Sequence, residues 1–425
     1  MPRKNLRLYL SSLVLVSSLG WIHYGVDRSD TLYLLGLYCV AFLAYYLIYD
    51  LQPSVRKILI LAGIARLILF WGYPNLSDDF YRFLWDGQLT LQGINPFSYT
   101  PEQILMNHPE IIIDPLILER MNSQSYFTIY PAFSQFIFAF CAIPDSLLIS
   151  TFLLRLVIFT FEAGVIYLLY KYYSKHAWSV SLYALNPLVI LELTGNLHLE
   201  GVMLFFILWG MVLIEKKSSI SSIAWAAGIA VKFNPLMYLP SLIKKKGWKK
   251  SFTFYILILI FTLLLSISFL ERDLIEGLSN SLPLFFKSFE FNAGLFFLVR
   301  HIGFWLAGFD VVYLAGPIMS GLALCLILWI SFTNVNHATP LPRLFTAILT
   351  IQLFLSTTLH PWYIIPLIAY SVSTGYMFPI LWSLMIFLSY AGYSNSGYEH
   401  PFYLVYLEYL SVSILAIREL IITKD

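Results

Sequence analysis

Apolar runs separated by short polar breaks follow one another along almost the whole chain. A helix needs roughly 20 apolar residues to cross about 30 Å of hydrocarbon, and such runs recur. They lie near residues 8–26, 31–49, 56–73, 147–170, 177–193, 200–214, 251–270, 311–332, 344–358, 362–375, 376–392 and 402–422. Residues 222–243 are interrupted at Asn234-Pro235, and the run 130–144 is short enough to be interfacial or re-entrant. The pattern predicts an all-α polytopic membrane protein with about 11–14 transmembrane helices.

Basic residues cluster in five places. The clusters are residues 2–7, 56–57, 171–175, 215–217 and 244–250. Short segments rich in lysine and arginine stay on the cytoplasmic side of a membrane, so a second set of loops is predicted on the opposite side. This second set comprises residues 74–146, 192–200, 271–310, 359–361 and 393–401. It holds most of the motif-like polar residues, which favours a functional site that faces the periplasm or the exterior.

The composition supports a membrane protein and excludes several other classes. The chain has 425 residues, of which 59% are hydrophobic and 12% charged, whereas soluble domains carry about 25% charged residues. The net charge of only +2 carries no information about nucleic acid, and no nucleic-acid partner is expected. The three cysteines lie singly in apolar runs, so neither a disulfide framework nor a thiolate metal site is predicted.

The chain also gives a prediction of its domain organisation. The first apolar run is too long for a signal peptide and is not followed by a small-residue cleavage motif, so we expect it to be the first membrane helix. We expect one integral membrane domain over residues 1–425. Residues 74–146 form its large first outer loop, with amphipathic surface helices and the short segment 130–144.

The stretch "NLSDDFYRFLWDGQLTLQGINPFSY", residues 75–99, is the most polar patterned segment. Ser77 is a typical N-cap residue, and the two carboxylates of Asp78 and Asp79 then fall in the first turn, where the helix dipole favours negative charge. Asp79, Arg82 and Asp86 share one stripe of this helix and apolar residues another. The pattern predicts a helix on the membrane surface with its apolar stripe in lipid and its charged stripe towards a cavity, ending at Gly93.

Two interpretations of these charges are open. In the first, Asp78 and Asp79 only start the helix, while Arg82 and Asp86 form an exposed ion pair worth less than about 1 kcal/mol. In the second, one aspartate is a general base aimed at an acceptor hydroxyl, and Arg82 and Asp86 orient it or the substrate. Neighbouring carboxylates can raise one another's pKa, which suits a base.

A second polar segment, "NPLVILELTGNLHLEG", closes a membrane run at residues 186–201. Glu192, Asn196 and Glu200 are four residues apart and can share a helix face, although Gly195 favours a turn. Together with His198, the carboxylates can bind a metal ion or orient sugar hydroxyls. Two ligands without a clear third are a weak metal signal, so we predict contacts to a polar substrate, no metal and no cofactor.

Several cationic or imidazole side chains fall on the same outer side. Lys232 lies inside an apolar segment, and it either snorkels to an interface or meets an anion in a cavity. Lys287, Arg300 and His301 either belong to a solvated loop or gather near a phosphate. His360 ends a membrane run just before a proline, where an aromatic belt does not explain it.

These features together predict an outer cavity with a carboxylate near its N-terminal part and cations from later segments. A sugar donor linked to a lipid phosphate needs both kinds of group. Cations stabilise the phosphate as its negative charge develops, and a carboxylate deprotonates the acceptor hydroxyl. An opening between helices would admit the lipid tail of the donor.

The motifs then resemble a known superfamily. "DDFYR", "WDG", "GINPFSYTP" and "YPAFSQ" are followed by "NPL", "GNLHLE", "KFNP" and "HPWY" over about residues 56–400. In this order they resemble the GT-C integral membrane glycosyltransferases, and within them the bacterial mannosyltransferase-like enzymes that use polyprenyl-phosphate sugars. The most specific parts are residues 77–101 and 359–363. Two departures are Ala132, where a second proline is common, and the helix pair at 8–49, which adds to the usual single preceding helix.

The resemblance implies a GT-C-type helix bundle and an inverting, metal-independent transfer with an aspartate base in the first outer loop. Asp79 occupies the Asp-x-Tyr position of the motif and is the expected base, with Asp78 in reserve. The expected substrate contacts are Tyr81, Arg82, Asp86, Asn95, Tyr130, Glu192, Asn196, His198 and Glu200. The expected contacts to the donor phosphate are Lys232, Lys287, Arg300 and His360.

The expected function is transfer of a hexose, mannose first, from a polyprenyl phosphate to a lipid-linked or cell-envelope glycan. The enzyme would lie in the bacterial cytoplasmic membrane with its active site facing the periplasm or exterior, and its partners would be donor, acceptor and bilayer. A transporter or flippase of lipid-linked sugars is the alternative, but it needs functional polar groups on both sides. A ligase or polymerase using a lipid diphosphate would have its large outer loop late in the chain, whereas here that loop is early.

Overall fold

The computed structural model describes residues 3–108, 110–270, 289–333 and 338–422, and these residues are mostly helical. The α-helices there are α1 (Arg3–Gly25), α2 (Thr31–Asp50), α3 (Val55–Leu67), α4 (Asp79–Leu91), α5 (Pro101–Asn107), α6 (Pro115–Arg120), α7 (Ala132–Cys141), α8 (Leu147–Leu168), α9 (Ser181–Ala184), α10 (Pro187–Val189), α11 (Glu200–Leu213), α12 (Ser218–Val231), α13 (Leu239–Lys246), α14 (Trp248–Ser266), α15 (Gly294–Ala307), α16 (Val312–Thr333), α17 (Leu341–Phe354), α18 (Ile365–Thr374), α19 (Phe378–Met385) and α20 (Phe402–Ile417).

Short tighter or wider helical turns connect or extend these helices. The π-helical turns are Leu169–Tyr173, Ile190–Gly195 and Arg418–Ile422, and the 3-10 turns are Ala177–Val180, Asn234–Tyr238, Ile267–Phe269, Pro361–Ile364 and Ile386–Gly392. A two-stranded antiparallel hairpin, β1 (Tyr393–Ser394) and β2 (Gly397–Tyr398), is the sheet structure of the described residues. The prediction of an all-α chain is therefore confirmed.

Five helical segments in the described residues are long and apolar enough to cross a membrane. They are Arg3–Gly25, Thr31–Asp50, Leu147–Tyr173, Trp248–Phe269 and Val312–Thr333, and the bent pair Ala177–Ala184 and Pro187–Gly195 makes a sixth candidate if it is one span. Large apolar side chains on them are exposed, such as Leu13, Leu43 and Leu259, as lipid-facing surfaces require. The chain is a multi-pass membrane protein, while the number of 11–14 spans stays a prediction.

Helices α11 and α12 form an antiparallel hairpin with basic residues at one end. Lys246 Nζ donates to the Ile214 carbonyl and to Ser218 Oγ, both at 3.0 Å, and Lys245 Nζ lies 3.8 Å from Glu215 Oε1. The basic segments 215–217 and 244–250 are thus on the same side, as the positive-inside pattern predicts. The break at Asn234-Pro235 is also confirmed, because α12 ends at Val231 and the chain turns back through Asn234–Tyr238 into α13.

Helix α4 does not lie on the lipid surface, so that prediction is wrong. All residues from Phe80 to Gly87 are buried, because α4 packs against α7. The ring of Phe83 stacks on Phe138 with centroids 4.6 Å apart. Its start also differs: α4 begins at Asp79, so Asp78 and not Ser77 precedes the first turn, and the Ser77 hydroxyl accepts from the Asp79 backbone N–H at 3.4 Å.

Gly87 allows the close approach of α4 to α7, and its replacement gives a first testable prediction. A Cβ added there would lie 2.6 Å from the carbonyl carbon of Phe138 and closer still to its oxygen. Gly87→Ala is therefore expected to cost about 1–3 kcal/mol through overpacking and to lower the thermal unfolding temperature of the detergent-purified protein. Gly36→Ala on α2 is the matched control, because its added methyl meets no atom within 4 Å. Equal unfolding temperatures for the two variants would contradict this packing role.

Candidate active site

The Asp79 carboxylate stands at the start of α4 and is only loosely held by the protein. Asn122 Nδ2 donates to its Oδ1 and the Tyr130 hydroxyl to its Oδ2, each at 3.5 Å. These distances are at the outer limit of a hydrogen bond. The side chain is half-buried, so it combines a sheltered position with acceptor capacity that the protein leaves free. Tyr130, a predicted substrate contact, thus lies next to the predicted base.

The charges around Asp79 act on its pKa in opposite directions. Burial raises the pKa of Asp79 above its ordinary value, and the neighbouring Asp78 adds to this, while the Lys232 ammonium lowers it. Burial outweighs the cation, so the net shift is upward. A carboxylate with a raised pKa is a stronger proton acceptor than an ordinary aspartate, which suits the role predicted for it.

Lys232 forms an ion pair with Glu200 at the end of the α11–α12 hairpin that is opposite to its basic end. Its ammonium also lies 5.9 Å from the ring centre of Tyr363. The Lys232 side chain is largely buried, so the alternative of snorkelling to an interface is wrong. Glu200 Oε2 is buried and has no hydrogen-bond partner among the described residues, which leaves it able to accept from a ligand.

Glu192 is the centre of a second polar group. Its carboxylate accepts from the Tyr390 hydroxyl at 2.7 Å and from Asn196 Nδ2 at 3.0 Å. His198 Nε2 lies 3.4 Å away but is not aligned for a hydrogen bond. Residues Ile190–Gly195 form a π-helical turn, and α11 starts only at Glu200. The turn that Gly195 favours therefore forms, and Glu192, Asn196 and Glu200 do not share one helix face.

A buried arginine holds this turn in place. Arg155 Nε donates to the Thr194 carbonyl at 2.8 Å, and its Nη1 donates to the Phe70 carbonyl at 2.8 Å. These charge-assisted hydrogen bonds satisfy carbonyl oxygens that a π-helical turn and a helix end leave unpaired. Arg155 thus ties the segment that carries Glu192 to the chain that leads into the first outer loop. Arg155 lies inside an apolar run of the sequence, and the sequence pattern alone does not predict this role.

His198 and His360 are joined by a stack of aromatic rings. The ring centres of His198 and Trp362 are 3.5 Å apart, those of Trp362 and His360 4.4 Å, and those of His360 and Phe291 4.5 Å. Burial, with a smaller effect from Lys232, lowers the pKa of His360 to about 3. At physiological pH this pKa makes His360 a neutral imidazole, which does not fit the cationic contact to the donor phosphate predicted for it. Trp362 lies between the two imidazole rings.

Asp78 differs from Asp79 in having a dedicated partner. Its carboxylate forms a 2.7 Å ion pair with Arg28 Nη1, and the Arg28 guanidinium lies 5.1 Å from the ring centre of Tyr393. Arg28 comes from the polar turn between α1 and α2, a segment that carried no recognisable motif. Because the pair occupies Asp78, Asp79 has the freer carboxylate of the two.

Arg82 and Asp86 form a buried ion pair with 2.7 Å between Nε and Oδ1, so the alternative of an exposed pair is wrong. Asp86 Oδ2 also accepts from the Thr128 hydroxyl at 2.5 Å and from Gln135 Nε2 at 3.1 Å. Arg82 Nη1 donates to the Tyr126 carbonyl at 2.8 Å. The pair therefore fixes the segment 122–130, which carries the two side chains that contact Asp79.

Four other predicted residues are placed elsewhere or lie outside the described residues. Asn95 Nδ2 donates to the Phe269 carbonyl at 3.2 Å and so ties the first outer loop to the 3-10 turn that follows α14. Arg300 is held between Glu290, at 2.5 Å, and Asp310, which uses both sides of its guanidinium. Burial raises the pKa of Tyr81, and the nearby Arg120 guanidinium opposes this shift. Lys287 is not among the described residues.

The polar side chains near Asp79 form no cluster of metal ligands among the described residues. In the ranges that the structure describes, no three His, Cys, Asp or Glu side chains are grouped closely enough to hold a metal ion. The carboxylates of Glu192 and Glu200 instead meet hydroxyl, amide and ammonium groups. The expectation of no metal and no cofactor stays a prediction.

Comparison with known families identifies what kind of protein carries this site. A family model described as alpha-(1->6)-mannopyranosyltransferase, N-terminal domain, matches residues 9–244, more than half of the chain. The matched region contains Asp79, Tyr130, Glu192, Glu200 and Lys232. Searches of curated proteins and of solved structures returned no match. The chain therefore belongs to the alpha-(1->6)-mannopyranosyltransferase family, a family of GT-C-type membrane glycosyltransferases.

Proposed function

We propose that the protein transfers mannose from a polyprenyl-phosphate donor to a hydroxyl group of a glycan acceptor, with inversion at the anomeric carbon and Asp79 as general base. The observation that carries this proposal is that a loosely held carboxylate and a largely buried ammonium belong to the same site. Asn122 and Tyr130 contact Asp79 only at 3.5 Å, and the Lys232 ammonium is close enough to lower the pKa of Asp79. Transfer from a lipid phosphate needs a base on one side of the anomeric carbon and a cation on the other.

The step balances as a single displacement. Asp79 accepts the proton of the acceptor hydroxyl as the hydroxyl oxygen forms a bond to the anomeric carbon of mannose. The bond between that carbon and the phosphate oxygen breaks, and the polyprenyl phosphate leaves with the electron pair. Lys232 stabilises the negative charge on the leaving phosphate. Attack opposite to the leaving group inverts the anomeric configuration, and the proton ends on Asp79.

Two buried polar atoms near Lys232 support a sugar-binding role for the same site. Glu200 Oε2 and His198 Nε2 have no hydrogen-bond partner among the described residues. An unpaired buried acceptor or donor costs about 1–3 kcal/mol, so a ligand hydroxyl at either atom is favourable. We propose that these two side chains, with Glu192, bind hydroxyl groups of the transferred mannose.

The position of the site along α11 and α12 suits a lipid-linked donor. Each helix has 14 residues between its basic end and the Glu200–Lys232 pair, which corresponds to about 21 Å at 1.5 Å per residue. A hydrocarbon layer is about 30 Å thick. With the basic end at the cytoplasmic surface, we propose that the pair lies in the outer part of the bilayer of a bacterial cytoplasmic membrane, with access from the periplasm or exterior.

The family description also suggests the linkage. We propose that the acceptor is a mannose-containing glycan, lipid-linked or part of the cell envelope, and that its primary 6-hydroxyl receives the new residue. A primary hydroxyl projects beyond the sugar ring. It can therefore reach a carboxylate such as Asp79 without bringing the whole ring against the protein.

A transfer assay tests the proposal directly. The detergent-purified protein is given polyprenyl-phosphate mannose, radiolabelled in the sugar, and an octyl α-mannoside acceptor. We expect a labelled disaccharide whose anomeric configuration, read by NMR, is opposite to that of the donor. Retention of configuration would contradict the single displacement. Movement of the donor across liposomes without any glycoside product would instead support the transporter alternative.

The raised pKa of Asp79 gives a prediction for the pH profile. An ordinary aspartate has a pKa of about 3.9, and burial raises the pKa of Asp79 above that value. Since the base must be deprotonated, activity is full above the raised pKa and falls as the pH drops through it. We expect the acidic limb of kcat/KM to lie above the ordinary aspartate value and to shift with Asp79→Glu. A profile without an acidic limb, or one that the substitution does not move, would contradict the assignment.

A further inference from the structure

A cavity of about 520 Å³ opens beside the candidate base. It lies where residues 23–28, the end of α1 and the start of the turn that follows it, meet the loop 73–75. Asp78, Tyr81 and Arg120 complete its lining. Asp78 therefore belongs to this cavity, and its chain neighbour Asp79 belongs to the site with Lys232. The mechanism proposed above makes no use of the cavity.

The charges that line the cavity cancel. Asp27 and Asp78 supply two carboxylates, and Arg28 and Arg120 supply two guanidinium groups. The Arg28–Asp78 ion pair, at 2.7 Å, is built into the wall and half-exposed to the cavity. A site for a phosphate carries an excess of positive charge, which is absent from this lining. A neutral polar ligand fits better, since planar carboxylate and guanidinium groups can exchange pairs of hydrogen bonds with neighbouring hydroxyls.

The remaining lining also has the character of a sugar site. Tyrosines from three segments contribute, at positions 24, 73 and 81, and aromatic faces pack well against the C–H faces of sugar rings. The volume is within the range of about 300–1,000 Å³ typical of small-ligand pockets. Most of the lining side chains are polar, so the cavity offers no path for a polyprenyl chain.

We propose that this cavity binds the acceptor glycan, as a neutral chain of mannose residues next to the one that is elongated. This assignment rests on the proposed function, and it gives the α1–α2 hairpin a role in acceptor selection. The location of the cavity carries the argument. A glycan that contacts Asp78 lies beside Asp79, the next residue in the protein chain, so the terminal sugar of the glycan can reach the proposed base. The donor then occupies the side of Asp79 that faces Lys232, and the two substrates do not compete for space.

Two substitutions at the outer part of the cavity test the assignment. Arg120→Gln and Tyr73→Ala remove exposed lining groups that do not contact Asp79 in the described structure. Tyr33→Ala on α2 and Arg56→Gln on α3 are the matched controls, because both residues are exposed and neither lines the cavity. Binding of octyl α-1,6-mannobioside, without any donor, is measured by saturation-transfer NMR and calorimetry. Acceptor KM and donor KM are measured in the transfer assay.

We expect Arg120→Gln and Tyr73→Ala each to raise the mannobioside Kd and the acceptor KM at least ten-fold, with the donor KM unchanged and the controls like the wild type. Unchanged acceptor Kd and KM in both variants would overturn the assignment, as would equal losses for donor and acceptor. The binding experiment needs no turnover, so it separates the two proposals. A wild-type protein that binds mannobioside in a Tyr73-dependent way but makes no product retains the glycan site and refutes the transfer reaction.

Discussion

Asp79→Asn is expected to lower kcat for mannose transfer by at least about 10³-fold, within the range that a general base contributes, while the donor Kd stays within about two-fold. The amide has the size of the carboxylate. Its oxygen can still accept from Asn122, and its NH2 group can donate to the Tyr130 hydroxyl oxygen. It cannot accept the proton of the acceptor hydroxyl. Transfer is measured as initial rates with radiolabelled donor, and donor binding by calorimetry.

Asp78→Asn is the matched comparison, since it makes the same chemical change one position earlier. It weakens the half-exposed pair with Arg28 and a wall of the acceptor cavity, so the acceptor KM is expected to rise while kcat at saturating acceptor is largely retained. Full kcat in Asp79→Asn would refute the base assignment. A kcat in Asp78→Asn as low as that of Asp79→Asn would show that the two carboxylates act together.

Lys232→Met is expected to lower transfer about 10²-fold or more and to destabilise the protein as well. The leaving phosphate loses its cation, and the buried Glu200 carboxylate loses its partner. Breaking a buried ion pair by removing one side costs about 3–5 kcal/mol. The single variant therefore mixes a loss of function with a loss of stability.

The double variant Lys232→Met/Glu200→Gln, compared with Glu200→Gln alone, separates the two effects, because the single Glu200 variant measures the loss that comes from the sugar-binding role proposed for Glu200. The double variant replaces the ion pair with uncharged groups of similar size, and such replacements of buried pairs are often neutral for stability. We expect its thermal unfolding temperature to return close to that of the wild type while transfer stays low. Recovery of transfer together with stability would show that Lys232 only neutralises Glu200 and does not serve the phosphate.

The local parts of the site could be predicted from sequence, and the long-range parts could not. Asp79 and Glu192 lie in short polar segments with clear patterns, and the break near Lys232 follows from a single Asn-Pro pair. Arg28 reaches Asp78 across 50 positions, and Tyr390 reaches Glu192 across 198. The packing of helices that are distant in the sequence determines such contacts, and the hydrophobic periodicity of a single sequence does not show which helices pack together.

Helix α4 shows a second limit of structure prediction from the sequence pattern. Its apolar stripe was correctly recognised, but hydrophobicity alone does not distinguish a lipid surface from the face of another helix, because both are apolar. Here α7 covers the stripe, with Phe83 on Phe138 and Gly87 in close contact. The charged pair Arg82–Asp86 is buried for the same reason, and this turns a predicted substrate contact into a support for the loop that carries Tyr130.

The short helices α11 and α12 have a consequence for the permeability of the membrane. Beneath the Glu200–Lys232 pair, only about 21 Å of helix separates the site from the basic end. With the topology proposed above, the layer of protein below the pair is thinner than the surrounding hydrocarbon of about 30 Å, so a proton held on Asp79 would have a shorter path to the cytoplasm. The opposite charges of Glu200 and Lys232 cancel at this point, and we expect the apolar packing of α11 and α12 below them to limit the leakage of ions.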